Sequence, residues 1–422
     1  MERTVYWWLC LLVCGGPLTE RMGRAQERES LTGEKAAQAL KDAAEAEAGR
    51  YNIHWGPVSL RTGASVRAGY TDNVFYTEEG RKSDVVIIPE VKLTGFARVS
   101  EINTLKLSLG VGYEYYLKNS VLNGDLPLVN PDSELSFNIF VGNLHLRLHE
   151  KFSYQETLLH NSIASAQDSF FNFNNVGVFK RWDNFAGVNA DWDLNRLILS
   201  VGYDHENFDS STPSYEYLNR ASEWLTASAS FLIGDKAQIG LESQGGRHDY
   251  ETQTTLNDHW QVRGGPFVDL KTQSKLSFRA GGGYDTARYD APAGSSDFET
   301  YYAYGRVSQE TRLFTHSLSA GHEHQLGDNA NNLETTYIRY AITSSALHHW
   351  ELGANVAVLF AEEFGGTFRE HFTYPLVGLR VGYQIHRYWR TDLAYEFLLK
   401  DSDLALRSFY GNRVTLGLGF SF

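Results

Sequence analysis

The stretch that defines the fold most clearly runs from Thr104 to Lys118 and reads TLKLSLGVGYEYYLK. Leucine, valine and tyrosine occupy the odd-numbered positions 105–117, whereas lysine, serine, glycine and glutamate occupy the even ones, interrupted only by Tyr116. Side chains alternate between the two faces of a β-strand, so this pattern predicts one apolar face and one polar face. A tilted strand of this length can span an apolar layer, because each residue advances about 3.3 Å.

The same alternation recurs along the chain from Val58 to Phe422. It is clearest in segments 60–70, 90–99, 196–204, 350–360, 389–400 and 413–422. Short connections alternate with longer polar ones, among them Thr71–Asp84 and Glu362–Glu370. The pattern predicts about 18 strands, with 16 left open, and it places short turns at one end and long loops at the other.

These strands are expected to close into an all-β, transmembrane antiparallel barrel with short periplasmic turns and long extracellular loops. The apolar faces would meet lipid, aromatic rings would lie at its two interfaces, and the charged faces would line water. Backbone groups in lipid must be paired, so the sheet cannot keep a free edge. The soluble alternatives are a propeller, a large sandwich or a solenoid, and the sequence shows no fixed repeat period that would favour them.

The composition narrows the classes of protein. The chain has 422 residues, with 14% aromatic side chains, 38 glycines and a net charge of −13. No apolar run reaches about 18 residues, which excludes a helical membrane protein, and the aromatic content excludes bulk disorder. The negative charge disfavours nucleic acid as a partner. The two cysteines, Cys10 and Cys14, both precede residue 26, so the rest of the chain offers no disulfide and no cysteine-ligated zinc site.

Three segments are predicted. Residues 1–25 read as a cleaved signal peptide, in which the apolar core Trp7–Val13 is followed by Gly23-Arg24-Ala25. Residues 26–57 are expected to form a short periplasmic helix or tether, peripheral to the barrel and too short to be a plug domain. Residues 58–422 form the barrel, which places the protein in the outer membrane of a Gram-negative bacterium.

Three sequence segments carry a family resemblance. The chain ends in VTLGLGFSF (residues 414–422), and it also contains AGYTDNVFY at 68–76 and GYDHENF at 202–208. Over residues 58–422 it resembles the β-barrel porin group that is often found with exopolysaccharide export systems. The resemblance implies a passive or export channel, with polysaccharide and periplasmic export proteins as partners. It also implies that Phe422 is the signal read by the barrel-assembly machinery, with outer-membrane lipid around the barrel.

No arrangement of residues in the sequence predicts an enzyme, a cofactor or a metal. Gly281-Gly282-Gly283 has no following helix, so a bend or strand crossing is favoured over a phosphate loop. His322 and His324, like His145 and His149, could ligate a metal, but ordinary interfacial or loop histidines are the favoured interpretation. At Asp72-Asn73, a side-chain-stabilised turn is favoured over a cation site.

The inward faces offer the most useful clue to function. They are expected to carry about 16 basic and about 10 acidic residues, although the whole chain is acidic, and the field inside a pore follows the charges that line it. The alternative left open is that these charges pair across strands and fill the barrel with a polar network. The pore-lining candidates are Arg61, Arg67, Lys92, Arg98, Lys106, Glu114, Arg147, Arg263, Arg279, Arg306, Arg339, Arg380, Arg390 and Glu396.

Two classes of function follow from this reading. The first is a porin-like channel for polar solutes, anionic or saccharide, including the outer-membrane component of exopolysaccharide export. The second is a loop-occluded barrel that acts as a scaffold in an envelope assembly. The long, partly apolar segment Gln155–Asn175 is expected either to constrict the lumen or to contact a partner. A barrel enzyme is disfavoured, because no Ser/His spacing suggests one.

Overall fold

The computed structural model describes residues 34–124, 126–156, 179–234, 236–272, 275–290, 297–344, 347–365 and 368–422. The predicted signal peptide (1–25) and most of Gln155–Asn175 lie outside these residues. Within them, helix α1 (Glu34–Ala48) precedes 21 strands of one antiparallel sheet. None of the described helices has the length and apolar character needed to span a bilayer.

The strand bounds are as follows: β1 (Ile53–Trp55), β2 (Val58–Thr71), β3 (Asp84–Arg98), β4 (Thr104–Gly112), β5 (Tyr115–Tyr116), β6 (Leu128–Val129), β7 (Glu134–Val141), β8 (Leu144–Glu156), β9 (Lys180–Leu194), β10 (Leu197–Ser210), β11 (Arg220–Ile233), β12 (Ala237–Tyr250), β13 (His259–Lys271), β14 (Leu276–Tyr289), β15 (Phe298–Glu310), β16 (Thr315–Leu326), β17 (Asn332–Ser344), β18 (Trp350–Gly365), β19 (Phe368–His386), β20 (Trp389–Ser402) and β21 (Phe409–Ser421). Two 3₁₀ helices, Ser120–Leu122 and Pro213–Leu218, lie in loops.

The sheet closes on itself. Apart from the three short strands β1, β5 and β6, each strand pairs with the next along the chain, and β21 returns to pair with β2 from Gly63↔Ser421 to Thr71↔Arg413. Beyond that ladder, Thr62 and Phe422 exchange two backbone hydrogen bonds of 2.8 and 2.7 Å. The result is a closed antiparallel barrel of 18 strands, which confirms the expected fold class and removes the 16-strand alternative.

The inner face is identified by polar contacts that skip strands. Glu242 of β12 accepts hydrogen bonds from Arg279 of β14 (3.3 Å) and from Tyr304 of β15 (2.8 Å). Arg263 of β13 similarly lies 3.8 Å from Glu323 of β16. In a closed sheet such contacts form on the concave side, and strand pairing then assigns the faces of the neighbouring strands.

The outer face is apolar through the middle of the barrel. Its exposed side chains include Val66, Val91, Leu241, Ile338 and Phe360, each more than half exposed. Apolar surface on this scale is unusual for a protein in water and matches the hydrocarbon core of a bilayer. The alternation therefore has the inside-out sense expected from the sequence.

Two predicted elements differ in the structure. Residues 362–365 and 368–370 belong to paired strands rather than to a long loop, with Glu363 opposite Glu370 and Glu362 opposite His371. Glu362 and Glu370 form ion pairs there, and Glu363 accepts hydrogen bonds from backbone amides. A sequence pattern cannot distinguish such acids from those of a solvated loop. The Thr104–Lys118 strand is also interrupted: β4 ends at Gly112, and the Tyr113 hydroxyl instead donates to the Gly124 carbonyl (2.6 Å).

The glycines at 281–283 mark a close approach of β13 and β14. A Cβ added to Gly265 would lie 2.0 Å from the carbonyl oxygen of Gly282, and one added to Gly283 would lie 2.0 Å from that of Gly264. The regular pairing is interrupted there, between Gly264↔Tyr284 and Phe267↔Gly281. Only glycine permits this backbone contact, which accounts for the triplet as a bend in the wall.

Candidate functional site in the barrel interior

The first long loop turns into the lumen. Asn73 is fully buried and donates from Nδ2 to the carbonyls of Thr77 (2.8 Å) and Tyr410 (2.9 Å). Beside it, Val74 packs with Tyr116 and with inner residues of β3 in a buried apolar cluster. The Asp72 carboxylate accepts two 2.7 Å hydrogen bonds from Asn412, so Asp72-Asn73 secures the loop to the wall.

Two further loops fold inward at the long-loop end of the barrel, across the lumen from the first long loop. Leu218, which follows β10, and Leu256, which follows β12, are each 1% exposed and share one buried cluster. Tyr217 reaches towards the β16–β17 loop: burial raises the pKa of its hydroxyl, and the carboxylates of Asp328 and Glu363 raise it further. Loops from separate parts of the sequence therefore meet above the lumen.

Glu363 holds the β16–β17 loop in this position. Its side chain is fully buried and accepts hydrogen bonds from the backbone amides of Asp328 (2.7 Å), Asn329 and Ala330 (3.2 Å). The Asn329 side chain donates a further bond of 2.9 Å to the same carboxylate. Bonds from several amides to one buried carboxylate are charge-assisted, so this contact fixes the loop strongly.

A second buried acid lies next to it on β19. The Glu370 carboxylate is fully buried, 2.6 Å from the Lys400 ammonium and 3.3 Å from the Arg407 guanidinium. The Ser402 hydroxyl also donates to it at 2.6 Å. Since Arg407 lies in the last long loop, this ion cluster ties that loop to the inner wall.

Part of the lumen near the long-loop end is filled by packed side chains. A cluster of buried apolar side chains covers the inner faces of β17–β20, and Tyr76 and Phe409 pack against it. Its members are Leu333, Tyr337, Ala357, Leu359, Ala361, Phe372, Tyr374, Leu376 and Leu398. Beside this cluster, the inner faces of the strands from β10 to β17 leave an open space.

A cavity of about 540 Å³ lies in that part of the lumen. Its wall carries many charged and hydroxyl-bearing side chains, among them Arg263, Arg279, Arg306, Glu242, Glu323, Tyr302, Tyr304, Tyr337, Ser200, Ser228 and Ser319. Strand pairing sets Arg279 opposite Arg306, Arg306 opposite Ser319, and Ser319 opposite Arg339. Three guanidinium groups from β14, β15 and β17 thus lie at one level of the barrel.

The two acidic residues of the cavity each form an ion pair with an arginine. Glu242 lies 3.3 Å from Arg279, and Glu323 lies 3.8 Å from Arg263. The Tyr302 and Tyr304 rings pack 5.7 and 5.9 Å from the Arg263 and Arg279 guanidinium groups, respectively. Such a wall combines fixed positive charge with hydroxyl donors, and it can bind an anion in passage without enclosing it.

The structure places thirteen of the fourteen pore-lining candidates on inner strand faces: Arg61, Arg67, Lys92, Arg98, Lys106, Arg147, Arg263, Arg279, Arg306, Arg339, Arg380, Arg390 and Glu396. Glu114 lies in the break after β4, where its carboxylate accepts a bond from Tyr116 (3.2 Å). Several form pairs on the wall, for example Arg67–Glu90 at 3.0 Å and Arg390–Glu351 at 2.6 Å. The pairing of charges across strands, which the sequence left open as an alternative, therefore occurs on part of the wall.

The expected basic excess does not extend over the whole wall. Inner positions carry nine acids beyond those counted from the sequence, against three further bases, Lys151, Arg181 and Arg220. The nine acids are Asp84, Glu134, Asp183, Asp191, Asp193, Glu206, Glu323, Glu363 and Glu370. Most lie near strand ends or on β9, where alternation is weak. An excess of basic over acidic side chains is found instead around the cavity lined by Arg263, Arg279 and Arg306.

The histidine pairs do not form shared sites. His322 contacts Glu334 (3.0 Å) and Thr336 (2.8 Å), whereas His324 contacts Asn332 (2.9 Å) in the buried interior. His149 lies 2.7 Å from Asp204. In the portion of the chain that the structure describes, no three His, Cys, Asp or Glu side chains are grouped as metal ligands.

Comparisons with known proteins agree on the architecture. No protein-family model matches the chain, and no curated protein matches it. The BenF-like porin of Pseudomonas fluorescens Pf-5 has 11% sequence identity and a TM-score of 0.51, over 86% of this chain and 99% of that one. OccAB3 of Acinetobacter baumannii has 11% identity and a TM-score of 0.49, and OpdK of Pseudomonas aeruginosa, solved with vanillate, has 12% and 0.48, each over the same shares. At these identities the likeness shows the fold alone.

Proposed function

We propose that this barrel is an outer-membrane channel of the porin type, which passes small anionic solutes. The observation that carries the proposal is the cavity lined by Arg263, Arg279 and Arg306, where guanidinium groups from three strands outnumber the carboxylates of Glu242 and Glu323. An excess of fixed positive charge in a narrow passage raises the local concentration of anions. The fold shared with the BenF-like porin also supports a channel.

The outer-membrane location rests on the surface of the barrel. Its exposed apolar side chains require hydrocarbon, and closure satisfies the backbone hydrogen bonds in that layer. In this proposal a signal peptide in residues 1–25 directs export, and the barrel-assembly machinery inserts the chain.

Export of a polysaccharide, which the sequence resemblance implies, is the second candidate. No comparison links the chain to exopolysaccharide export. Loops that meet above the lumen and a cavity of about 540 Å³ favour a small solute over a polymer chain. If the purified barrel carried no current, the inward loops would favour the other alternative, a loop-occluded barrel that acts as a scaffold in an envelope assembly.

Ion selectivity in planar bilayers tests the channel. We expect stepwise currents with a preference for chloride over potassium, and we expect Arg306→Gln to lower the anion-to-cation permeability ratio by about twofold. Arg288→Gln is the matched control, because Arg288 lies on the outer face and pairs with Asp297 (2.9 Å). Equal effects of the two substitutions, or silence at every voltage, would contradict the proposal.

Removal of Phe422 is expected to reduce assembly into the membrane. The resemblance implies that the terminal ring is recognised, and the structure places the ring 5.6 Å from that of Tyr388 at the closing seam. Phe422→Ala keeps the backbone hydrogen bonds to Thr62 and removes only the ring. If assembly falls in this variant as it does in the variant that lacks Phe422, the effect belongs to the ring. The measurement is the heat-modifiable fraction in outer-membrane preparations, and wild-type levels in both variants would refute the role.

A further inference from the structure

Helix α1 lies against the inner wall at the short-turn end of the barrel. Arg98, the last residue of β3, and Lys106, near the start of β4, both point inward on either side of one short turn. The Glu45 carboxylate lies 3.4 Å from Arg98, and the Glu47 carboxylate lies 3.4 Å from Lys106. The helix is therefore seated on the barrel wall at this end.

Apolar contacts support the same placement. The Tyr51 ring stacks on Phe96, with centroids 5.9 Å apart and planes 23° apart. Phe96 is an inner-face residue of β3 and is 1% exposed, although it lies close to the open end of the barrel. Ala44 of the helix is also buried. These contacts cover a patch of inner wall at the mouth.

The carboxylates near the end of the helix contact cations of the barrel wall, although Glu47 also pairs with Arg50 at 3.1 Å. Glu45 and Glu47 lie in its last turn, where no basic residue is present. Carboxylates at a helix C-terminus oppose the helix dipole, and isolated helices of about 15 residues are marginal in water. The cations on the barrel wall offset both disadvantages, so docking and helix formation are coupled.

The attachment is weak enough to be reversible. The three ion pairs that join the helix to this turn and its strands are at least partly exposed, with side-chain exposures of 40% and 54% for Arg98–Glu45, of 44% and 25% for Lys106–Glu47, and of 36% and 78% for Lys41–Glu101. Exposed ion pairs contribute little individually and are screened by salt. Ions that reach this mouth therefore compete directly with the helix carboxylates.

Size limits what the helix can do. A closed sheet of this many strands, spaced about 4.8 Å apart and tilted about 40°, has a backbone diameter of about 35 Å. A helix with its side chains is about 10–12 Å wide. Docked α1 narrows the opening without sealing it.

We propose that α1 is a displaceable plug, whose Glu45 and Glu47 occupy an anion-binding site formed by Arg98 and Lys106 at the short-turn mouth. An anion at this mouth takes the place of the carboxylates, releases the helix and widens its own path. The docking site stands on the contacts alone, whereas its effect on permeation rests on the proposed channel function.

Spin labels measure docking independently of current. In a full chain with Cys10 and Cys14 replaced by serine, labels at Ala43→Cys and Arg196→Cys would report the distance from the helix to the rim. We expect a narrow distance distribution at low salt, and we expect citrate to broaden it more than potassium chloride does at equal ionic strength. The reversal Glu45→Lys with Glu47→Lys should broaden it without citrate, and adding Arg98→Glu and Lys106→Glu should restore it.

Conductance of the same variants tests the plug. The helix reversal should raise single-channel conductance by about 1.5-fold, whereas Glu78→Lys with Glu79→Lys, the same charge change in the first long loop, should not release the helix. If the distance distribution does not change on charge reversal, or if citrate and chloride change it equally, the anion-binding site at Arg98 and Lys106 is refuted. A released helix with unchanged conductance would overturn the plug. Variants that dock and release normally but never conduct would remove the proposed channel function instead, leaving the docking site supported.

Discussion

Replacing Leu107 by arginine is expected to prevent assembly of the barrel. Leu107 is an outer-face residue of β4, opposite Gly95 and Leu135 on the neighbouring strands. A cation that faces lipid on a β-barrel costs up to about 2–4 kcal/mol, with the cost rising from the interfaces to the midplane, and the upper values are a large part of the net stability of a folded chain. The measurement is the folded, heat-modifiable fraction recovered from membranes or from refolding into lipid vesicles.

Ser108→Arg is the matched control for this substitution. Ser108 is the next residue along β4 and faces the lumen, where its pairing partner on β7 is Glu134. The same arginine there meets water and a carboxylate, so assembly should stay close to that of the unaltered chain. Equal losses from the two substitutions would contradict the assignment of the faces and with it the membrane-spanning role of the barrel.

Replacing Glu363 by alanine is expected to free the β16–β17 loop and to destabilise the barrel. The substitution leaves the backbone amides of Asp328, Asn329 and Ala330 without their acceptor. A buried donor without a partner costs about 1–3 kcal/mol, so the loop should leave its inward position. We expect a lower unfolding temperature in detergent and a single-channel conductance about twofold higher.

Glu362→Ala provides the comparison. Glu362 is the preceding residue but points outward, where it pairs with Arg369 and lies 3.4 Å from His371. Its removal breaks partly exposed ion pairs, which contribute little to stability. If Glu362→Ala changed conductance as much as Glu363→Ala, the inward loop would not be what narrows the mouth.

The faces of the strands could be predicted from the sequence because a single physical rule sets them. A residue such as Leu107 or Arg67 takes its side from the two-residue period of a strand, and that period is visible wherever one face meets lipid. Closure followed from the same rule, since backbone in hydrocarbon cannot leave a strand edge unpaired. These features depend on neighbours in the sequence and on the solvent.

The features that were missed depend on partners far away in the sequence. Glu370 and Glu363 look like loop acids until Lys400, Arg407 and the amides after residue 327 are brought beside them. The docking of α1 likewise depends on cations more than 50 positions away. Helical spacing in residues 34–48 could suggest a helix, but no local pattern indicates the wall that receives it.

The seam between β2 and β21 has a consequence for biogenesis. Arg61 and Ser421 are hydrogen-bonded across it, although 360 positions separate them in the chain. Joining such distant segments carries a chain-entropy cost that local hairpins avoid, and pairings of this kind form slowly. Until β21 has been synthesised and reaches β2, the folding chain is an open sheet with two unpaired edge strands. The cell must therefore keep those two edges from pairing with other chains until the barrel closes.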